Sequence, residues 1–216
     1  MMTNMIIGMP HLLSNYELNL NHIAKLFGDN HWRYMSDAPS TSTINGKRVY
    51  QSFLKLDFDI NSTFKEDDIF QVGVSGDYID DYIFKTVHVF GNNTVKMYTI
   101  GITVNDGKIL KAITNGKKLK DFWSAYKKNK KKKYFKNDPL HFPTYYNIDF
   151  NCANILYCAN YLKFGYQYCY VKKLPTKFKS IDFFSNIEPD KIITVDRNDN
   201  DLVLISENSV IARINL

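Results

Sequence analysis

The chain has 216 residues, of which 44% are hydrophobic and 15% aromatic, and it carries a formal net charge of +6 at pH 7. This composition excludes an intrinsically disordered chain, and the length suits one large domain or two domains of about 100 residues each. No apolar run approaches the ~18–20 residues that span a bilayer, and the N-terminus lacks a signal-peptide pattern, so we expect a cytoplasmic protein with no membrane partner.

The first predicted helix covers residues 18–27. Its apolar side chains recur at spacings of three and four, which is typical of a helix with one buried face. They are Leu20, Ile23, Ala24 and Phe27. Asn19 is suited to cap the N-terminus of this helix, and Gly28 predicts its end. The residues from Gly28 to Trp32 are therefore expected to close the helix ahead of a loop.

A series of strands is predicted after that loop. Alternation of side chains from Val49 to Phe58 predicts a long strand, and further strands are predicted over residues 69–74, 82–90, 95–104 and 108–113. The turn signals between them are Ser75-Gly76-Asp77, Gly91-Asn92-Asn93 and Asn105-Asp106-Gly107. One helix followed by several antiparallel strands indicates an α+β domain in which a sheet wraps around a helix.

A lysine-rich segment between Lys117 and Lys136 follows, and most of the excess positive charge lies in it. It predicts either a solvated linker or helix, or a surface for an anionic partner. The block between Lys127 and Lys133 contains no arginine, and the sequence shows no nucleic-acid-binding module. We therefore expect no nucleic-acid partner.

The same order of elements recurs beyond the lysines. A lead containing Pro139 and Pro143 precedes a helix predicted from about Cys152 to Tyr166, and strands are predicted over residues 180–184, 191–196, 202–206 and 210–214. This recurrence predicts an α+β double hot-dog fold, with two antiparallel sheets each wrapped around a central helix. The predicted division is a first domain over residues 1–116, a linker over 117–138 and a shorter second domain over 139–216.

The three cysteines, Cys152, Cys158 and Cys169, all lie in the second half of the chain. Their odd number, the lack of a C-x-x-C pair and the lack of histidines at zinc-ligand spacing argue against a disulfide framework and against zinc. We expect no metal site.

Four short motifs together resemble the double hot-dog acyltransferase/decarboxylases of polyketide biosynthesis, a family that includes the enzyme of the leinamycin pathway. The motifs are Gly8-Met9-Pro10-His11-Leu12, Gly28-Asp29-Asn30-His31-Trp32, Gly46-Lys47-Arg48-Val49-Tyr50, and Asp149-Phe150-Asn151 with Leu156-Tyr157-Cys158-Ala159-Asn160-Tyr161. The resemblance extends from about Gly8 to the C-terminus. It implies that the chain takes methylmalonyl-coenzyme A, acylates itself on a tyrosine, removes carbon dioxide and passes propionyl to an acyl carrier protein.

Under this resemblance Tyr50 is the matching tyrosine. A phenol with a pKa near ~10 is a weak nucleophile at neutral pH, so it needs a base, and His31 is the predicted one. Without the resemblance, Tyr50 is interpreted as a core residue and His31 as a packing or helix-capping residue. No cofactor is implied beyond the coenzyme A thioester that serves as substrate.

Substrate contacts are expected at the two predicted helix N-termini, near Asn19 and Cys152, because free backbone amides there can donate to a thioester oxygen. Candidate substrate-binding residues are Asp29, Asn30, Asn151 and Cys152. The alternatives are that Asp29 fixes a turn, that Asn151 caps the second helix, and that Cys152 is a small residue packed against substrate or sheet.

Two other functions remain open on the sequence. A hot-dog thioesterase uses a carboxylate near a helix N-terminus to direct water or to attack the thioester, and Asp149 stands in that position. A non-catalytic double hot dog would hold an acyl carrier protein as a binding module. In each case the expected partners are acyl-coenzyme A and an acyl carrier protein, and the carrier is expected to dock on the segment between Lys117 and Lys136.

Overall fold

A computed structural model describes residues 2–7, 18–36, 43–44, 47–48, 50–80, 83–105, 108–111, 120–149 and 156–216. The chain forms two compact units. The first consists of Met1–Asn19 and Leu26–Ala125, and the second consists of Leu20–Lys25 and Tyr126–Leu216. The lysine-rich segment, predicted as a solvated linker or helix, is helical over Lys120–Lys131.

The first unit contains most of one long helix and, among the described residues, eight strands. They are β1 (Met2–Ile6), α1 (Leu20–Ser36, from Leu26 onward), β2 (Thr43–Ile44), β3 (Lys47–Arg48), β4 (Tyr50–Asp59), β5 (Ile69–Asp80), β6 (Ile83–Phe90), β7 (Asn93–Asn105) and β8 (Lys108–Lys111). The strands of this unit have the order β1-β5-β6-β7-β4, with β8 paired to β7, and these neighbouring strands are all antiparallel.

The helix α1 packs on one face of this sheet. Phe27 is fully buried, stacks on the His88 ring at 4.5 Å between centroids and meets the Phe90 ring edge-on at 5.4 Å. Burial of each such aromatic side chain stabilises the fold by roughly 1.5–3 kcal/mol relative to leaving it exposed. The alternating burial along β6, with Phe84, Thr86, His88 and Phe90 all facing inward, provides the surface on which the helix lies.

The second unit repeats this plan with shorter strands. Its elements are α2 (Lys120–Lys131, from Tyr126 onward), β9 (Leu140–Pro143), α3 (Tyr146–Asp149), α4 (Cys158–Lys172), β10 (Ser180–Phe183), β11 (Ile192–Asn198), β12 (Asp201–Ser206) and β13 (Ser209–Asn215). The strand order is β10-β13-β12-β11-β9, again antiparallel throughout.

The helix α4 contacts β11 and β13, and one glycine sets how closely it approaches. A Cβ placed on Gly165 would lie 2.6 Å from Cδ1 of Ile214 and 3.4 Å from Cζ of Phe178. Only a residue without a side chain allows this spacing. Each unit is thus an antiparallel sheet packed on a helix, and the predicted α+β double hot-dog fold is confirmed.

One predicted turn of the first half is wrong, and two strands of the main sheets were missed. The predicted turn at Ser75-Gly76-Asp77 does not form, because β5 continues to Asp80. Gly76 serves close packing there, since a Cβ on it would lie 2.9 Å from Cγ2 of Thr86 and 3.0 Å from the Tyr34 ring. Strands β1 and β9 were not predicted.

Within the described part of the chain, no helix combines the length and the apolar character needed to cross a membrane.

Candidate functional site

The run from Gly28 to Trp32 lies inside helix α1, which continues to Ser36. The prediction that this run closes the helix is therefore wrong. Gly28, Asn30 and His31 are buried, so the buried face of the helix continues past Phe27 through residues that are not apolar. The helix was predicted to end too early because the prediction counted hydrophobic residues, and the buried positions after Phe27 are not hydrophobic.

His31 is fully buried and forms hydrogen bonds through both ring nitrogens. Its Nδ1 lies 2.8 Å from Oγ1 of Thr86, and its Nε2 lies 3.1 Å from Oγ1 of Thr99. Oγ1 of Thr86 in turn lies 3.1 Å from Nε2 of His88. These four side chains form a continuous polar chain, which we call the histidine–threonine chain, across an otherwise apolar interior.

The strand register brings these residues together. Thr99 of β7 lies directly opposite Phe84 of β6 on one side and Phe53 of β4 on the other. The His31 ring approaches both phenylalanine rings, at 5.5 Å from Phe84 and 5.6 Å from Phe53 between centroids. His31 therefore sits over the middle of three neighbouring strands and fixes α1 to them.

The hydrogen-bond directions follow from the Thr99 end of the chain. The Thr99 hydroxyl donates to the Phe84 carbonyl at 3.5 Å, so its oxygen accepts from Nε2–H of His31. Nδ1 of His31 then accepts from the Thr86 hydroxyl, and the Thr86 oxygen accepts from Nε2–H of His88. Nδ1 of His88 is buried and has no hydrogen-bond partner among the described residues. Both imidazoles are neutral in this arrangement.

Burial lowers the pKa of His31 to about 3. It also lowers the pKa of His88 to about 3, and the charge of a protonated His31 acts in the same direction. A general base works best when its pKa lies near the operating pH. The general-base role of His31 stays a prediction, and its burial and its two threonine partners favour a positioning role instead.

Three other predicted residues lie near this part of the first unit. Tyr50 is the first residue of β4 and pairs with Ile102 of β7. The register of β4 shifts between Phe53 and Lys55. Asp29 is exposed on α1 and Asn30 is buried, and their substrate-binding roles stay predictions.

The second predicted helix starts later than expected. Helix α4 begins at Cys158 and ends at Lys172, after an extended Tyr157 with φ −65° and ψ 133°. Leu156, which was predicted as helical, instead donates its amide to Oδ1 of Asn186 at 2.8 Å. The prediction of one continuous helix from about Cys152 to Tyr166 is therefore wrong, and Asn151 and Cys152 lie outside the described residues.

The N-terminus of α1 is where it was predicted. The helix begins at Leu20, directly after Asn19, and the Leu20 amide donates to the hydroxyl of Tyr166 at 3.0 Å. That amide is thus already used within the second unit. The Tyr166 ring is in turn packed against Phe178, with 4.6 Å between centroids.

Asp149 lies ahead of α4 and its side chain is fully buried. Its carboxylate forms an ion pair with Nζ of Lys163 and accepts from the Tyr145 amide at 2.9 Å. Its backbone carbonyl accepts from the Tyr157 amide at 3.0 Å and from the Asn160 side chain at 2.9 Å. Asp149 thereby joins α3 to the first turn of α4.

The sequence missed the partners that give these residues their roles. Thr86 and His88 were part of a predicted strand, and the only signal for them was the presence of polar residues at the inward positions between Phe84 and Phe90. Lys163 carried no signal at all. The described residues contain no group of three or more histidine, cysteine or acidic side chains that could hold a metal ion.

No protein-family model matches the chain, and no curated protein matches it. Solved structures do match it over the whole length. An acyl-ACP thioesterase from Bacteroides thetaiotaomicron has 11% sequence identity and a TM-score of 0.70, with 99% of this chain and 96% of that chain covered. The 12:0-ACP thioesterase from Umbellularia californica has 8% identity and a TM-score of 0.67, with coverage of 100% and 92%.

HtdX from Mycobacterium tuberculosis is also similar, with 10% identity, a TM-score of 0.54 and coverage of 100% of this chain and 98% of that chain. At these identities the likeness establishes the fold. Because it covers nearly all of each chain, it includes both units.

Proposed function

We propose that this chain hydrolyses acyl thioesters carried by an acyl carrier protein or coenzyme A. The observation that carries the proposal is the whole-chain likeness to two acyl-ACP thioesterases, with TM-scores of 0.70 and 0.67. In the reaction, water attacks the thioester carbonyl, the carbon–sulfur bond breaks, and the products are a free acid and a free thiol. Water is the only co-substrate that this reaction requires.

The contacts of Asp149 and His31, which the sequence singled out as candidate catalytic residues, support structural roles for both. Asp149 is buried in an ion pair with Lys163, so we assign it the task of holding the segment that leads into α4. His31 is held neutral between two threonines, so we assign it the task of holding α1 on its sheet. Neither role requires a proton to move during turnover.

The test is release of free thiol from a series of acyl-coenzyme A substrates of increasing chain length, with no acceptor present. We expect turnover that depends on chain length and that Asp149→Asn retains to within a few-fold. A carboxylate that directs water contributes about 10²–10⁴-fold to the rate. A folded Asp149→Asn protein that loses turnover by that factor would return Asp149 to a catalytic role, and absence of thiol release from every substrate would contradict hydrolysis of coenzyme A thioesters.

The second candidate is the acyltransferase and decarboxylase reaction, which the motif Gly28-Asp29-Asn30-His31-Trp32 and the position of Tyr50 favour. Tyr50 opens β4, the strand whose Phe53 ring contacts His31. In this reaction the phenol oxygen attacks the thioester carbonyl and coenzyme A leaves as the thiol. Loss of carbon dioxide leaves an enolate that takes up a proton, and the acyl group then passes to the carrier thiol.

The mass of the intact protein after incubation with methylmalonyl-coenzyme A tests this candidate. Self-acylation predicts a propionyl or methylmalonyl adduct in the wild type and no adduct in Tyr50→Phe. Tyr98→Phe is the control, because Tyr98 lies in the same sheet and burial raises its pKa to about 12, with Asp57 adding to the shift. An unmodified wild type, or an adduct that persists in Tyr50→Phe, would contradict acylation at Tyr50.

A further inference from the structure

Five of the six lysines between Lys127 and Lys133 are exposed and form no ion pair within the described part of the chain. They are Lys127, Lys128, Lys130, Lys131 and Lys133, and we call them the lysine surface. They account for most of the formal net charge of +6. Lys132, which lies among them, is different because its Nζ contacts Oδ2 of Asp201 at 2.6 Å.

The residues between these lysines fasten the segment to the sheet of the second unit. Tyr126 is buried and its hydroxyl donates to the Phe183 carbonyl at the end of β10. Nδ2 of Asn129 donates to Oδ2 of Asp182 in β10 at 2.7 Å. The spacing of three between Tyr126, Asn129 and Lys132 places one contact on nearly every helical turn.

A buried arginine holds the C-terminal end of α2. Arg213 of β13 is 3% exposed, and its guanidinium donates from Nε to the Asn129 carbonyl at 3.0 Å and from Nη2 to the Lys132 carbonyl. The last carbonyls of a helix lack partners within the helix, and a cation next to them is favourable. Burying an arginine is costly unless its guanidinium forms hydrogen bonds. The bonds from Arg213 to the segment therefore help to fix the position of the segment on the sheet.

The chain beyond the helix is fastened as well. The buried carboxylate of Asp196 accepts from the Tyr134 hydroxyl at 2.8 Å, from the Asn137 amide at 2.8 Å and from the Asp138 amide at 3.0 Å. The Lys133 carbonyl accepts from Nδ2 of Asn198 at 2.9 Å. The backbone that carries the lysine surface is therefore fastened to the second unit, and the exposed lysine side chains extend from it.

A fixed, unneutralised cluster of one sign attracts a partner of the opposite sign and raises the rate of encounter. A solvated linker needs no such anchoring. We propose that the lysine surface is the docking site for an acidic acyl carrier protein that delivers the acyl thioester. This inference rests on the proposed function for the identity of the partner, and the observation that carries it is the combination of free lysine charge and buried anchors.

The test compares two quadruple variants of the full chain. Lys127→Gln, Lys128→Gln, Lys130→Gln and Lys131→Gln remove charge from the lysine surface while keeping helix propensity. Lys25→Gln, Lys65→Gln, Lys173→Gln and Lys177→Gln are the matched control, since these lysines are exposed and lie outside the lysine surface. The probe is a purified acidic acyl carrier protein bearing a dodecanoyl chain through a non-hydrolysable amide.

We expect the association rate of the carrier to fall about 10-fold or more in the lysine-surface variant at low salt, and to change less than two-fold in the control. The wild-type rate should fall toward that of the variant as salt rises, because ions screen exposed charges. Thermal unfolding of both variants establishes that they are folded.

An equal loss in both variants would overturn the proposal, because net charge alone would then explain binding. Unchanged carrier binding in the lysine-surface variant would overturn it too, and loss of binding to anionic vesicles or to a nucleic-acid duplex in that variant would then identify the other class of partner. Carrier binding that depends on the lysines in a protein that hydrolyses no thioester would leave the docking site standing and remove the proposed hydrolysis.

Discussion

We expect the free energy of unfolding to fall steeply as the pH is lowered from about 6.5, the ordinary pKa of histidine. Burial lowers the pKa of both His31 and His88 to about 3 in the folded state. Between these values the unfolded chain binds more protons than the folded one, so stability is lost on acidification. Each histidine contributes up to about 1.4 kcal/mol per pH unit, so the two together contribute up to about 2.8 kcal/mol per pH unit.

Urea unfolding at a series of pH values between 5 and 7 measures this slope above the range in which carboxylates titrate. His88→Phe keeps the stacking partner of Phe27 and should reduce the slope by about half. His141→Gln is the control, because His141 is exposed and its ring lies 2.9 Å from Oγ1 of Thr194 at the surface, and this variant should keep the wild-type slope. A wild-type slope near zero would contradict the burial of two neutral imidazoles.

The second large effect is expected at the buried ion pair of the second unit. Lys163→Met removes the cation from the fully buried carboxylate of Asp149 and should cost about 3 kcal/mol in the free energy of unfolding. Asp149→Asn should cost less, about 1 kcal/mol, because the amide oxygen can still accept from the Tyr145 amide and Lys163, which is 30% exposed, can turn to water. Chemical unfolding at neutral pH gives both values.

The double variant Asp149→Asn with Lys163→Met should be more stable than Lys163→Met alone, because it leaves no uncompensated buried charge. Lys172→Met is the matched control on the same helix. Its partner Asp138 is 66% exposed, so its loss should cost less than about 1 kcal/mol. Equal costs for Lys163→Met and Lys172→Met would show that the Asp149 pair is not a buried one.

The strands of the second half were predictable because the apolar pattern and the turn residues in the sequence indicate the same boundaries. The predicted strands at 202–206 and 210–214 correspond closely to β12 and β13, since each has a strong apolar pattern and a turn precedes each of them. The turn at Gly91 was likewise predictable from the glycine itself. The observed φ of +56° at Gly91 lies in the region that glycine adopts most readily. The same rules failed at Gly28, which lies inside α1, and at Gly76, where the lack of a side chain allows close packing within a strand.

The candidate site was only partly predictable because its contacts are long-range. His31 stood out in the sequence, but its partners Thr86 and Thr99 lie 55 and 68 residues away along the chain. Only the register of three strands brings them together. The start of α4 was missed because an apolar residue, Leu156, is extended and held by the side chain of Asn186, which lies 30 residues away.

The lysine-rich segment was also predictable only in part, because its charge is evident from the sequence and its position depends on tertiary contacts. Its charge was evident from the sequence, and helix was one of two predicted states. Its fixed position depends on Arg213 and Asp196, which lie in strands of the second unit and carried no signal of their own. Composition thus predicted a charged surface, and the tertiary contacts determine where that surface lies.

The most direct test of the proposed thioester hydrolysis is the mass of a dodecanoyl-acyl carrier protein incubated with a catalytic amount of this chain. Hydrolysis predicts that the carrier loses the dodecanoyl group and returns to the free-thiol form, over many turnovers and without an adduct on this chain. A carrier that keeps its acyl group in the presence of folded protein would contradict the proposal.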